Sequence, residues 1–181
     1  KTALCKRQGS VVTEIRSWSG LDLMQTVGRV VAEYEALLPS KQPREILVDS
    51  IGLGSGVVDR LREIGLPVRG INVAEAPSMG GTYLNLRSEL WFKTKAWFED
   101  RACKLPKDDQ LVAELTGIRY SFTSSGKMKA ESKDEMRKRG LASPDLADAL
   151  CLTMASDAAT ALSGAFTSWK GEIKRNLRGI A

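Results

Sequence analysis

The stretch EILVDSIGLGSGVVDRLREIGLPVRGINV, residues 45–73, decides the fold class. Glu45–Asp49 is a short apolar, β-rich run of the kind that forms a buried parallel strand. The glycine cluster Gly52-Leu53-Gly54-Ser55-Gly56 leads into a helix over Val57–Ile64, closed by Gly65 and Pro67. Val68–Val73 reads as another short strand. Strand, helix, strand is the pattern of a βαβ unit and of an α/β fold. Asp49 ends the first strand, and in open α/β sheets active sites gather at the carboxyl ends of strands. The same position also suits a turn aspartate that caps the following helix. The glycines do not make a dinucleotide fingerprint, because the third glycine position of that motif holds Val57. Tight turns beside the sheet explain them better.

Upstream, Thr2–Lys6 and Val11–Trp18 read as two strands joined at Gln8-Gly9-Ser10. Asp22 to Leu38 has helical periodicity, with Leu23, Val27, Val30, Val31, Tyr34 and Leu38 on one face, before Pro39 and Pro43 break the chain. Downstream, Ala74–Tyr83 is loop-like. Leu84–Asp100 and Asp108–Leu115 read as helices, Ile118–Phe122 and Lys127–Ala130 as strands around Ser124-Ser125-Gly126, and Ser132–Arg139 as a short basic helix ended by Gly140. The last helix opens at Ser143-Pro144-Asp145, with Ser143 as N-cap and Pro144 in the first helical position, and runs to about Leu162. The expected organisation is one domain over 1–162 and a basic tail over 163–181 that carries Lys170, Lys174, Arg175 and Arg178.

Composition narrows the chemistry. The chain of 181 residues contains no histidine, which removes Ser-His-Asp and Cys-His catalysis and His-ligated zinc. Its three cysteines, Cys5, Cys103 and Cys151, are scattered and form no CxxC pair, which fits a reducing compartment. Metal chemistry here must rest on carboxylates, which favour Mg²⁺ or Mn²⁺. The net charge of +5 permits a polyanionic partner without demanding one. No apolar run reaches the roughly 18 residues that span a bilayer. The first residue is lysine and enters strand-like sequence at once, as expected of a piece of a larger polypeptide.

The second candidate region is LASPDLADAL, residues 141–150. Asp145 and Asp148 are three apart and share a face at a helix start, where Leu146, Ala149, Leu150 and Thr153 supply the packed face. Acids in a first turn suit the helix dipole, which accounts for Asp145 without function but explains Asp148 less well. Phosphodiester hydrolysis with two metals about 4 Å apart needs carboxylates that converge from different elements. One acid on a strand and one on a helix packed across it meet that need. Just upstream, SGKMKAESKDEMRKRG (residues 125–140) offers Lys127, Lys129, Lys133, Arg137, Lys138 and Arg139 to phosphates, or forms a solvated helix face.

In order, the strand with Asp49, the GVVDRL helix, NLRSELWFK, LPKDDQLVAEL, GKMKAESKDEMRKRG and SPDLADAL resemble the nuclease domain of the large terminase subunit of tailed phages or prophages. The similarity runs to about Leu162, and SPDLADAL close behind ESKDEMRKRG is its most specific part. The resemblance implies a ribonuclease-H-like mixed β-sheet flanked by helices. It implies a two-metal-ion endonuclease, using Mg²⁺ or Mn²⁺ (two ions), that cuts concatemeric double-stranded DNA during phage genome packaging. By motif position Asp49 is the strand acid, Asp148 the helix acid, and Asp145 an accessory metal contact one turn earlier. Lys133 matches a basic, phosphate-facing position, and Glu89 in RSEL a recurrent position with no assigned role. The implied partners are double-stranded DNA, the portal, the small terminase subunit and an N-terminal ATPase domain of the same polypeptide, with no membrane and a location in the host cytoplasm. The family's first acid lies on an opening strand, just before a segment like Lys1-Thr2-Ala3-Leu4. By that match the first strand is truncated and its aspartate lies upstream of this sequence, so the chain as given is expected to bind metal weakly and cut poorly. Asp22 is no substitute, since it reads as a helix cap. Two rivals remain: another ribonuclease-H-like nuclease of the junction-resolvase type, and a non-catalytic DNA- or partner-binding module of the same fold.

Overall fold

Strands β1 (Thr2–Gln8) and β2 (Val11–Trp18) pair antiparallel around the turn at Gly9. This is a computed structural model of the chain, and it describes residues 1–156. The register shifts by one residue between Lys6 and Arg7, where Glu14 and Val12 are the successive partners and Thr13 is extra. Such a bulge explains how Val12 and Ile15, three apart, both bury into the core, which a regular alternating strand forbids.

Helix α1 (Leu23–Glu35) opens on a capping box: Asp22 accepts from the Gln25 amide and the Gln25 side chain accepts from the Asp22 amide. It stops before Leu38, which is 71% exposed rather than on the packed face. Leu38 precedes Pro39 and is extended, because the proline ring disfavours helical backbone in the residue before it.

Strands β3 (Ile46–Asp49) and β4 (Val68–Ile71) pair parallel, in register Ile46↔Val68 to Asp49↔Ile71, with helix α2 (Leu53–Glu63) between them in sequence. The βαβ unit is as expected, but β3 is only half-buried and Asp49 is exposed. A two-stranded sheet has too little width to bury its strands fully. Helix α2 begins four residues earlier than the sequence pattern suggests, so Gly54 and Gly56 lie in its first turns. A Cβ on Gly54 would sit 1.7 Å from the Asp49 carbonyl oxygen, and one on Gly56 would sit 2.5 Å from a Leu23 methyl. The glycines therefore let α2 press against both the end of β3 and α1.

Helix α3 (Leu86–Glu99) is capped by Asn85, and α4 (Asp109–Gly117) by Asp108. Strands β5 (Tyr120–Phe122) and β6 (Met128–Ala130) form a short antiparallel hairpin. Helix α5 (Lys133–Lys138) has a capping box between Ser132 and Glu135. Helix α6 (Asp145–Leu152) starts differently from expectation. Pro144 is the N-cap and Ser143 lies outside, its hydroxyl donating to Asp145 Oδ1 at 2.7 Å. The physical reason is that the Pro144 carbonyl accepts the first intrahelical bond, from the Asp148 amide. The helix gives way to a 3₁₀ turn at Thr153–Ala155. The α-helix therefore ends at Leu152, short of the expected Leu162, and the backbone is extended at Ser156. Residues 157–181, with the tail expected over 163–181, lie outside the described residues.

Two cores result. The larger gathers Val12, Ile15, Leu90, Trp91, Leu111, Leu146 and Leu150 around α6, which packs on β1, β2, α3 and α4 and also touches β3. The smaller holds Val27, Val57 and Leu61 between α1 and α2. The buried face of α6 is Leu146, Ala147, Leu150 and Cys151, whereas Ala149 and Thr153, expected inside, are half-buried. The strands are both parallel and antiparallel, as a mixed α/β fold requires, with hydrogen bonding divided among three two-stranded sheets in the described residues.

Candidate active site

Asp148 stands three residues into α6, on the side of the helix that faces α3 and α5. Its Oδ1 accepts from Arg87 Nη2 at 3.2 Å and from Trp91 Nε1 at 3.0 Å. Arg87 and Trp91 are four apart on α3, so they share a face. The Arg87 guanidinium also lies over the Trp91 ring, 5.7 Å from its centroid, and donates through Nη1 to the Glu131 carbonyl at 2.6 Å. Asp148 Oδ2 faces Lys133, whose Nζ is 3.1 Å away. That approach is an ion pair without hydrogen-bond geometry, so Oδ2 is a buried oxygen with no hydrogen-bond donor.

Lys133 reaches Asp148 because α5 begins immediately after β6, at the Ser132 cap. Asp145, one turn before Asp148, is half-buried and bound to the Ser143 hydroxyl. Asp49 stays at the exposed end of β3, where Oδ1 accepts from the Ile51 amide at 3.2 Å. The N-cap of α2 is Gly52, so Asp49 closes a turn and does not cap the helix. The fold thus brings Lys133, Asp148, Arg87 and Trp91 together. Among the described residues no group of three or more acidic, thiol or imidazole side chains converges as a metal-ligand cluster.

The other charges of the region are largely spoken for. Lys129 pairs with Glu135 at 2.7 Å, Arg137 pairs with Asp134, and Arg139 grips Glu131 through both Nε and Nη2. Lys129, with the Ser132 amide and hydroxyl, holds the Glu135 carboxyl down at about 2. Arg139 depresses Glu131. Half of the basic run is therefore neutralised locally, and Lys133 is the member that faces a candidate site residue. Glu89, whose role the sequence left open, is fully buried in the first turn of α3. Burial pushes its carboxyl up, yet Lys93 at 2.7 Å and the Ser78 hydroxyl and amide outweigh that and leave it depressed. It pins the loop that precedes α3 rather than facing Asp148. The thiols are poor ligand candidates: burial pushes Cys5 up to about 12 and Cys151 higher still.

Sequence reasoning missed Arg87 and Trp91. Their i, i+4 spacing within NLRSELWFK was a legible sign of a shared helix face, but nothing in the sequence says that this face meets α6.

No protein-family model and no curated protein matches the chain. Solved structures do. The nuclease domain of the large terminase subunit gp2 of bacterial virus Sf6, as a lysine-to-alanine mutant with manganese and β-thujaplicinol, aligns with a TM-score of 0.69 and 22% identity over 84% of this chain and 80% of that one. The same domain without those additions aligns with a TM-score of 0.65 at 21% identity, over 84% and 80%. The large terminase nuclease of thermophilic phage G20c with bound magnesium gives 0.59 at 19% identity, over 80% of this chain and 67% of that one. The chain has the ribonuclease-H-like fold of the nuclease domains of phage large terminase subunits.

Proposed function

We propose that residues 1–162 are the nuclease domain of a phage DNA-packaging terminase, a metal-dependent endonuclease acting on concatemeric double-stranded DNA. One observation carries this reading. Asp148, on a fold shared with such nucleases, turns a buried and hydrogen-bond-free carboxylate oxygen toward the cationic Lys133. A buried carboxylate is costly unless a cation faces it; Lys133 does so here at 3.1 Å, in the place that a divalent ion would take.

The donor chemistry fits a hard divalent ion. Asp148, Asp145 and Asp49 offer oxygens, there is no histidine, and the buried thiols are kept protonated. Asp148 fits on geometry as well, through its Oδ2. Asp145 and Asp49 are the other residues proposed to hold metal, and Mg²⁺ or Mn²⁺, as two ions, is the proposed complement. Such ions, when bound, lower the pKa of water and offset charge on the departing oxygen. The chain's own residues do the rest. Asp148 presents Oδ2, while Asp49 stands at an exposed strand end that a polymer can reach. Lys133, whose side chain is 45% exposed, can turn from Asp148 to a phosphate oxygen. In this reading the partners are double-stranded DNA, the portal, the small terminase subunit and an ATPase domain of the same polypeptide, in the host cytoplasm. The residues 163–181 would be a basic appendage. No helix among the described residues is long and apolar enough to cross a membrane.

The test is cleavage. The protein, in excess over substrate, is incubated with supercoiled plasmid, linear duplex and a four-way junction, each with Mn²⁺, Mg²⁺ or chelator. The expected outcome is slow metal-dependent cutting of duplex DNA, in keeping with the poor cutting that the resemblance implies for a sequence without the family's first acid, and a further loss of at least about 100-fold in Asp148→Ala, since loss of a metal ligand removes most of the transition-state stabilisation. Preferential cutting of the junction would favour the resolvase-type rival. DNA binding with no cutting by the folded protein would favour the binding module.

A further inference from the structure

We propose that Arg87 and Trp91 are positioning residues that set the orientation of the Asp148 carboxylate. This inference rests on the nuclease reading above and adds two residues to its machinery. The geometry is specific. Both donors from α3 go to the same oxygen, Oδ1, from Trp91 Nε1 at 3.0 Å and Arg87 Nη2 at 3.2 Å. Oδ2 receives none. A carboxylate free to rotate would share its donors between its two oxygens. Here the rotation is fixed from one side, and the remaining oxygen, free of hydrogen bonds, is presented to the cation beside it, which is Lys133 at 3.1 Å and which a metal ion would replace.

Arg87 does this at a cost that packing alone does not explain. Its side chain is only 14% exposed, and Nε is buried without a hydrogen-bond partner. Its other arm donates to the Glu131 carbonyl, two residues before Lys133. One guanidinium therefore ties the acid on α6 to the backbone that launches α5, and so fixes the spacing between Asp148 and Lys133. The Arg87 guanidinium also lies over the Trp91 ring, a cation–π contact that favours its place beside Asp148. Outer partners of this kind orient ligands, and their loss lowers metal affinity about 10- to 100-fold.

The experiment measures Mn²⁺ binding by the whole chain, by titration calorimetry and by the electron paramagnetic resonance of free Mn²⁺, in wild type, Asp148→Asn, Trp91→Phe and Arg87→Lys. Trp91→Phe keeps a ring in the core but removes the donor. Arg87→Lys keeps the charge but not the two-armed reach. Both are expected to weaken Mn²⁺ binding by about 10-fold. A second readout needs only the wild type. Among the indole N–H resonances of Trp18, Trp91 and Trp97, that of Trp91 should broaden first on adding Mn²⁺. If Asp148→Asn weakens binding and both α3 variants bind like wild type, or if Trp91 broadens no sooner than the other indoles, the positioning role is overturned while the nuclease reading stands. If wild type and Asp148→Asn bind Mn²⁺ equally, the metal site at Asp148 falls, and this inference falls with it.

Discussion

Helix α6 carries Asp148 through the middle of the larger core, whereas strand β3 carries Asp49 to the end of a two-stranded sheet. The two aspartates hold corresponding places in the sequence argument, yet their surroundings differ in kind. Asp148 is reached by side chains from α3 and α5. Among the described residues Asp49 is reached only by a backbone amide two residues on. The two carboxylates therefore differ in how far the protein itself fixes them. One is held by its neighbours on α3 and α5; the other stands at the surface, held by the turn that follows β3.

The comparison breaks most visibly at the scaffold. Leu150 on α6 and Leu61 on α2 are both fully buried, but Leu150 has the larger core around it and Leu61 the smaller. Truncating a buried leucine costs about 2–5 kcal/mol, less where neighbours can collapse into the space. The half-buried Leu23, Val30 and Val48 around Leu61 leave room for such collapse. Leu150→Ala is expected near the upper end and Leu61→Ala near the lower, read by urea unfolding. Equal losses would mean that the two regions are one cooperative core and that the contrast between the acids does not come from packing.

The same contrast explains what the sequence could disclose. The βαβ unit, the β1–β2 hairpin and the short helix α5 ended by Gly140 were legible because periodicity, turn residues and helix-stop signals are local. The start of α2 was not, because Gly52–Gly56 reads as a turn until the close approach of α2 to Asp49 is known. Leu38 was misplaced on a packed face because helical spacing was carried past the stop that Pro39 imposes. At the site, Asp148 and Lys133 could be singled out from residue type and motif order. Arg87 and Trp91 could not, since their meeting with Asp148 is a contact between α3 and α6 across more than fifty residues. Glu89 was left without a role for a similar reason: its partner Ser78 lies in the loop before α3.

Glu89 is a third acid, on α3, in surroundings unlike those of Asp148 and Asp49. It is a buried acid whose partners are all within the protein, so its ionisation should matter to stability and not to metal. Its carboxyl is depressed below the ordinary value of 4.5. A depressed acid contributes stability that is fully present above the unfolded value and is lost as pH falls through the folded one. Glu89→Gln is therefore expected to cost about 1–3 kcal/mol near neutrality, from the unmet Ser78 and Lys93 donors. The gap to wild type should narrow as pH drops below about 4.5. Melting curves of both proteins between neutral pH and acid would show it. A gap that stays constant through this range would mean that Glu89 is not charged in the folded protein.

The smallest expected effect on stability is the most telling for Asp49. Asn keeps the oxygen that accepts from the Ile51 amide and removes only the charge, at an exposed position. Asp49→Asn should therefore move the unfolding free energy by no more than about 0.5 kcal/mol. As the strand acid of the proposed site it should nonetheless lose most metal-dependent cleavage, because an amide is a weak ligand for a hard cation. Stability and activity then separate at Asp49, whereas at Leu150 they fall together. Were Asp49→Asn to cut DNA like wild type, Asp49 would be a turn residue only, and the strand acid of the proposed site would have to be sought elsewhere.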